Sequence, residues 1–442
     1  MSATIATDDL RVGMFVHLDL GWWAHPFALS SFRLTSPDQI ATIRGLGLTQ
    51  VRWSPERSAL VGDGDTPPTL PVASPLGADA AAVVDVAPPS HVRGGAPLQS
   101  GGDSARVRRE QLAAQREATR VCSHQYGEAA QGIKAASELV LKQPEAAREA
   151  SEGLTRALVN KMLIDGELCI RVLADAHAER ATAHALNVAV ISLLMGRVFG
   201  FNEQEMLDVG VGALLHDVGK VELPERVRHL DAQASQADVA LYREHVARGV
   251  ALGKRMGLKP GALLVLGQHH EMADGSGFPS KLNVDRMTAA ARIVSLVNRY
   301  DNLCDPAVPA HALTPHEALS LIFAQTRTKF DASMLNAFIR MMGVYPPGSV
   351  VQLTDDRYAL VTNVNSSRPL KPRVLVHDPQ VPADEALHLN LELQPDLGIR
   401  RSLRPQQLPA EALQYLAPRQ RVVYFFEPAP VAHSAFDQEM AA

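Results

Sequence analysis

The stretch VGVGALLHDVGK, from Val209 to Lys220, decides how this chain is read. Apolar residues lead to an adjacent imidazole and carboxylate, His216 and Asp217, and Gly219 and Lys220 follow directly. Asn202 and Glu205 stand ahead of it at capping-box spacing, which predicts a helix starting there and ending at His216 to Gly219. A cation bound at that end would meet the partial negative charge of the helix terminus. One His-Asp dipeptide carries little weight, because His377-Asp378 is a second copy with nothing around it. What distinguishes the first is its company: His184, His245 and the pair His269-His270, each in a helical context.

The chemistry explains why such residues gather. Neutral imidazole suits Zn, Mn and Fe, and a carboxylate can bridge two cations, so Asp217 is the natural bridge. Two metals about 3.5–4 Å apart can hold a hydroxide and clamp the phosphoryl oxygens of a diester. Lys220, one turn beyond His216, is placed to steady a phosphate or protonate a leaving oxygen. Each residue alone has a plainer reading. His184 in the apolar run HALNVAVISLL reads as a satisfied core histidine, His245 as a surface residue and Lys220 as a solvated helix-end lysine. His269-His270 is harder to set aside, since the turn residues DGSGFP follow within a few positions. As a set, these residues point to a metal site.

Working outward, the 442 residues allow two to four domains. A net charge of −5 argues against a nucleic-acid polymer as partner, and three scattered cysteines give no disulfide framework. The N-terminus has no signal-peptide pattern, and the apolar run Val188 to Met195 is too short to span a membrane, so a cytoplasmic protein is expected. Residues 8–58 read as a small α+β module, with strands in Val12–Leu20 and Val51–Trp53 around a helix in Ser36–Leu46. Residues 59–104, rich in Pro, Gly, Ala and Ser, read as a flexible linker. Residues 105–175 read as a helical connector, either an antiparallel pair or a coiled coil that would make a homodimer. Helical patterns fill 176–342, and Tyr345-Pro-Pro-Gly348 ends them. The remainder, 343–428, reads as β-rich, with strands at Val350–Leu353, Tyr358–Val364, Arg373–His377 and Val422–Phe426. The fold class expected is mainly α with a small module at each end.

With these motifs in view, the chain resembles the HD-GYP family, a branch of the HD phosphohydrolases that hydrolyses the bacterial messenger cyclic di-GMP. The resemblance rests on His216-Asp217-Val218-Gly219-Lys220 and on His269-His270-Glu271-x-x-Asp274-Gly275-Ser276-Gly277-Phe278-Pro279, and covers roughly 177–342. Residues 8–58 resemble the uncharacterised domain that precedes HD-GYP in one large subgroup, and the tail from Tyr345 resembles that subgroup's extension. The resemblance implies an HD-type helical bundle, two divalent metals (Fe or Mn) and a cyclic dinucleotide substrate. It implies His184, His216, Asp217, His245, His269, His270 and Asn298 as metal ligands. Lys220 is implied beside the substrate phosphate, with Gly277, Phe278 and Pro279 as the substrate loop, Phe278 replacing the family's tyrosine. A signalling partner for the N-terminal region is also expected.

Three departures stand out. Trinuclear members carry an acidic ligand one turn before the first histidine, where this chain has Arg180; Glu179 lies on another face and His177 is expected to be structural. Asn298 stands where the family has a ligand aspartate, with Asp301 one turn on. The family's basic phosphate-gripping segment is replaced by Cys304 to Val308. The activity expected is cyclic di-GMP phosphodiesterase. The alternatives are a degenerate HD-GYP module that signals by binding, and an HD hydrolase acting on another nucleotide.

Overall fold

Short alternating segments build the N-terminal unit. In the computed structural model, which describes residues 3–19, 31–58, 100–163, 167–173, 178–230, 234–365, 368–419 and 421–429, its strands are β1 (Ala3–Ala6), β2 (Phe15–His17), β3 (Ser31–Arg33) and β4 (Gln50–Trp53). They form an antiparallel sheet in the order β1-β4-β2-β3. Helix α1 (Pro37–Gly45) starts where Ser36 Oγ accepts the Gln39 N–H and proline occupies the first turn. Val16, Leu34, Ile40, Ile43 and Val51 are buried. Strand β1 precedes the expected start at residue 8; it was missed because its four residues, Ala-Thr-Ile-Ala, become a strand only through pairing with β4. The expected linker lies outside the described residues from 59 to 99, and its last positions belong to helix α2 (Ser100–Leu139). His177 also lies outside them.

The larger unit begins within α2, at Leu112. Its helices are α3 (Pro144–Met162), α4 (Arg180–Val198), α5 (Glu203–Leu215), α6 (Glu225–Arg228), α7 (Gln236–Met256), α8 (Pro260–Gln268), α9 (Ala289–Cys304), α10 (Pro315–Gln325) and α11 (Ala332–Met342). Helix α4 is apolar on nearly every face because it is the centre of the bundle; by length and composition alone it would pass for a membrane span, yet most of it is buried. It packs against α5 and α9, and α5 packs against α8. The predicted capping box is present, Asn202 Oδ1 accepting the Glu205 N–H and the Glu205 carboxylate accepting the Asn202 N–H.

The C-terminal sheet contains β6 (Val350–Leu353), β7 (Tyr358–Asn365), β8 (Arg373–Val376), β9 (Leu389–Asn390), β10 (Ile399–Leu403) and β11 (Tyr424–Pro428), with helix α12 (Ala410–Leu416) packed on β7. The sequence reading is corrected at one element. Residues 105–175 are not helical throughout, because β5 (Leu168–Val172) lies between α3 and α4 and joins this sheet, in the path β10-β6-β7-β5-β11. Its partners are residues 363–365 and 424–428. Pairing at that separation leaves no trace in a local pattern. The β5–β11 pair ties the sheet to the bundle, since Val422 to Phe426 and Ile170 belong to the same apolar core as α4, α5 and α9. His377 packs edge-on against Tyr415 of α12, and among the described residues the second His-Asp pair joins no cluster of metal-ligating side chains.

Candidate metal centre

The helix-ending motif folds as a tight clasp. After α5, His216 keeps helical backbone angles, and a short 3-10 turn follows at Val218–Glu222. That turn lies directly on α7: a Cβ added at Gly219 would come within 2.0 Å of the His245 carbonyl oxygen and 2.5 Å of the Gly249 nitrogen. Only glycine permits the approach, and the approach sets His245 opposite His216-Asp217. Helix α8 ends at His269, and the loop after it folds back over the site. Glu271, fully buried, accepts the Ser280 and Leu282 N–H groups at 2.7 and 2.9 Å. Gly277 sits where a Cβ would meet the backbone of His270 to Met272 at 2.5–2.6 Å. The Phe278 N–H donates to the His270 carbonyl at 3.2 Å, and the Phe278 ring stacks on the His270 imidazole with centroids 4.5 Å apart.

The imidazoles are oriented from behind. Nδ1 of His216, His245 and His269 faces the carbonyl three residues earlier, Ala213, Tyr242 and Leu266, at 2.6–2.8 Å. A carbonyl only accepts, so each Nδ1 carries the proton and each Nε2 presents a lone pair. His184 Nδ1 faces Asp301 Oδ2 at 2.6 Å, which sets its Nε2 the same way. The Nε2 atoms then meet in pairs, His184 with His216 at 3.1 Å and His245 with His269 at 3.2 Å. Facing lone pairs repel unless a positive charge lies between them.

Asp217 stands between the two pairs. Its Oδ2 is 3.5 Å from His216 Nε2 and 3.8 Å from His184 Nε2; its Oδ1 is 3.5 Å from His245 Nε2 and 3.9 Å from His269 Nε2. Two donor sets share this residue, His184-His216-Asp217 and Asp217-His245-His269-His270, each with its donor atoms within 4.8 Å of one another. His270 Nε2 and Asp217 Oδ1 are buried and have no hydrogen-bond partner in the protein. Orphaned acceptors of this kind, among inward-facing imidazoles, are what a divalent cation satisfies, so the residues fit a metal.

The electrostatics agree. Burial pushes His269 and His270 well below the usual imidazole range, reinforced by neighbouring imidazoles, and lowers His245; the rings are held neutral, the state that ligates. Burial alone would raise Asp217, but the Lys220 ammonium and then His216 outweigh it and hold the carboxyl well below its ordinary value. Burial would lower Lys220, but Asp217 reverses this and keeps it charged. Lys220 Nζ lies 2.6 Å from Asp217 Oδ2 and 5.1 Å from the centre of the Tyr242 ring.

The remaining expected residues lie on α4, on α9 and just after it. Asn298 is buried on α9, with its Oδ1 accepting from Asn302 Nδ2 at 2.6 Å. Asp301, one turn on, serves His184 from behind. Arg180, first in α4, donates to the Asp305 carbonyl at 2.7 Å and has its other terminal nitrogen 3.2 Å from His229 Nδ1. In the segment replacing the basic grip, Cys304 is buried and Asp305 accepts from Arg421 at 2.9 Å. Sequence reasoning missed Tyr242, Asn187 and Arg243, whose guanidinium lies 5.0 Å over the Phe278 ring. Only Asn187 left a signal, as a lone amide in the apolar run of α4.

Comparison with known proteins agrees with this geometry. Residues 167–334 match the family described as HD domain, and residues 2–151 match a domain of unknown function, DUF3391. The second match runs through the expected module and linker and into α3. The chain is similar to the cyclic di-GMP phosphodiesterase PA4108 of Pseudomonas aeruginosa, 25% identical over 381 residues, 85% of each chain. It is 29% identical over 150 residues to the cyclic di-GMP phosphodiesterase response regulator RpfG of Xanthomonas campestris pv. campestris, covering 33% of this chain and 39% of that one. It is 30% identical over 167 residues to the 3'3'-cGAMP-specific phosphodiesterase 2 of Vibrio cholerae, covering 37% of this chain and 32% of that one. The chain thus carries an HD domain, with paired histidines sharing one aspartate and the HHExxDGxGFP loop beside them, behind a DUF3391 domain, and it is similar to cyclic dinucleotide phosphodiesterases of the HD-GYP type.

Proposed function

We propose that this protein is a metal-dependent phosphodiesterase that opens a cyclic dinucleotide, cyclic di-GMP, to its linear dinucleotide or to GMP in bacterial signalling. The observation that carries this reading is Asp217, with one carboxylate oxygen turned to each histidine pair. We assign His184, His216 and Asp217 to one divalent ion and Asp217, His245, His269 and His270 to a second, with Fe or Mn as the metals. When bound, such ions supply Lewis-acid polarisation of a phosphodiester and a nucleophile at neutral pH. The protein's own groups do the rest. Lys220, kept charged beside Asp217, offers its ammonium to a phosphate oxygen or to the departing ribose oxygen. The loop Gly277-Phe278-Pro279 forms the substrate side, its ring fixed on His270. The names of PA4108 and RpfG support the substrate; that of the Vibrio cholerae relative makes 3'3'-cGAMP the competing cyclic dinucleotide.

A second reading has its own support. Asn298 offers an amide where a carboxylate is expected, and that amide oxygen is already taken by Asn302. An amide carries no charge, so the site would bind metal more weakly and could serve a module that signals by binding. The deciding experiment measures cyclic di-GMP turnover and metal content on the same samples of wild type, His216→Ala and Asn298→Asp, purified anaerobically and loaded with Mn or Fe. Turnover by wild type that is lost in His216→Ala supports the enzyme. Inert wild type with inert Asn298→Asp sinks it, and fewer than about one metal per chain favours the binding module.

A further inference from the structure

Asn187 is a polar residue in the apolar interior of α4, 1% exposed. An amide in that setting is costly unless all its groups are paired. Each is. Its Oδ1 accepts the Tyr424 N–H at 2.8 Å, and its Nδ2 donates to the Val422 carbonyl at 2.9 Å and to Asp301 Oδ1 at 2.8 Å. A backbone N–H only donates and a carbonyl only accepts, so the orientation of the amide is fixed by its partners. With Oδ1 occupied by Asn187, Asp301 presents Oδ2 to His184 Nδ1 at 2.6 Å. An unbroken series of short hydrogen bonds therefore runs from the backbone at 422–424, through Asn187 and Asp301, to His184.

On the side away from β5, Asn187 anchors the strand at the start of this series. β11 is an edge strand, paired on one side to β5, and its other edge faces α4, where Asn187 takes a carbonyl and an N–H that a neighbouring strand would otherwise take. The same segment grips α9 independently. The Tyr424 hydroxyl lies 3.0 Å from that of Tyr300, and Arg421 binds Asp305 just after the helix. Residues 421–424 thus fix α4 and α9, the helices that bring His184 and Asp301 together.

We propose that Asn187 is a positioning residue for the metal site, making the aim of His184 depend on the docked C-terminal strand β11. The inference rests on the metal-site reading above. Second-shell partners of ligand histidines set tautomer and ring direction, and losing one lowers metal affinity about 10–100-fold. Without Asn187, Asp301 can rotate, His184 follows, and the first donor set loosens while the His245-His269-His270 set is untouched.

The test is Mn2+ titration of chelator-treated full-length protein by calorimetry, with thermal unfolding of the same samples in chelator. Asn187→Leu and the isosteric Asn187→Asp are compared with wild type, His184→Ala and the double variant Asn187→Leu/His184→Ala. Expected is a tenfold or greater loss of affinity for one class of Mn2+ sites in both Asn187 variants. In the His184→Ala background Asn187→Leu should cost no further affinity, which a general loosening of the core would not reproduce. If Asn187→Leu fails to fold, Asn187→Asp decides. Wild-type affinity in a folded Asn187 variant, or additive losses in the double variant, overturns the proposal. His216→Ala separates the two readings: if it too binds Mn2+ like wild type, the metal site itself is wrong.

Discussion

Replacing Gly219 by alanine should damage the metal centre without touching a donor atom. The added Cβ would lie 2.0 Å from the His245 carbonyl oxygen and 2.5 Å from the Gly249 nitrogen, where real Cβ contacts stay beyond 3.0 Å. Both obstacles are backbone, so no side chain can swing aside, and the turn and α7 must separate by about 1 Å. That displacement acts directly on the site, because the turn follows His216-Asp217 and α7 carries His245. Asp217 Oδ1 and His245 Nε2, now 3.5 Å apart, would be drawn apart by a similar amount, straining the donor set they share. Functional constellations tolerate about 0.5 Å, so the second donor set should lose about 10–100-fold in metal affinity. Overpacking should also cost about 1–3 kcal/mol of stability, several degrees in Tm for a domain of this size.

Gly249→Ala is the matched control. It lies in the same contact, yet its Cβ would stand 3.4 Å from the Gly219 nitrogen and 3.7 Å from Val218 Cγ1, ordinary distances. In a helix interior alanine is better than glycine by about 0.5–1 kcal/mol, so this variant should be neutral or slightly stabilised. Mn2+ titration and thermal unfolding of both variants make the comparison. A Gly219→Ala protein with wild-type affinity and Tm, or a Gly249→Ala protein equally impaired, would refute the claim that this backbone contact sets the site.

Two further outcomes follow from the same structure. Lys161 on α3 is almost fully buried, and burial, partly offset by Glu128, pulls its pKa down to about 7. Between that value and lysine's ordinary range near 10.4 the unfolded chain binds more protons than the folded one, so stability rises with pH across the window, by up to about 1.4 kcal/mol per unit. Lys161→Met should raise stability at pH 7 and flatten that rise in denaturant unfolding at pH 7 and 9; an unchanged slope would remove Lys161 as its source. In the loop after α8, Phe278→Ala strips the ring stacked on His270 and should weaken Mn2+ binding about tenfold, whereas Phe278→Tyr keeps the ring and should stay within about twofold. Equal affinities for the two variants would make the stack irrelevant to the site.

How much was legible in the sequence depends on where each constraint originates. His216, Asp217 and Lys220 share one helix end, and His269 and His270 stand beside their own loop, so donor types and local spacing were enough to find them. The bundle was legible for a similar reason, since helical periodicity and a capping box are local signals. Strand β5 was not, because its partners lie some 190 residues or more away in sequence and its five residues carry no turn signal. The same distinction separates donors from the groups that aim them. Tyr242 holds His245 through a backbone carbonyl, which any residue type supplies. Asp301 and Asn187 meet across 114 positions, and Asn187 reaches Val422 across 235.

The physical consequence concerns what a motif guarantees. A chain with the full set of donors can still hold them at the wrong angle, because the lone-pair direction of an imidazole is set by whatever its other nitrogen touches. In this chain three of those contacts are made within one helical turn and come with the helix itself, while the fourth, on His184, comes from Asp301 on α9, which Asn187 links to the C-terminal strand. The donor set built on His245 and His269 is therefore self-supporting, and the one built on His184 and His216 is conditional on β11. Asn298 adds to that asymmetry, lying one turn before Asp301 on the helix that supports the conditional set. Weakness in this centre should appear first at the His184 side, as a loss of one class of ion rather than of all binding.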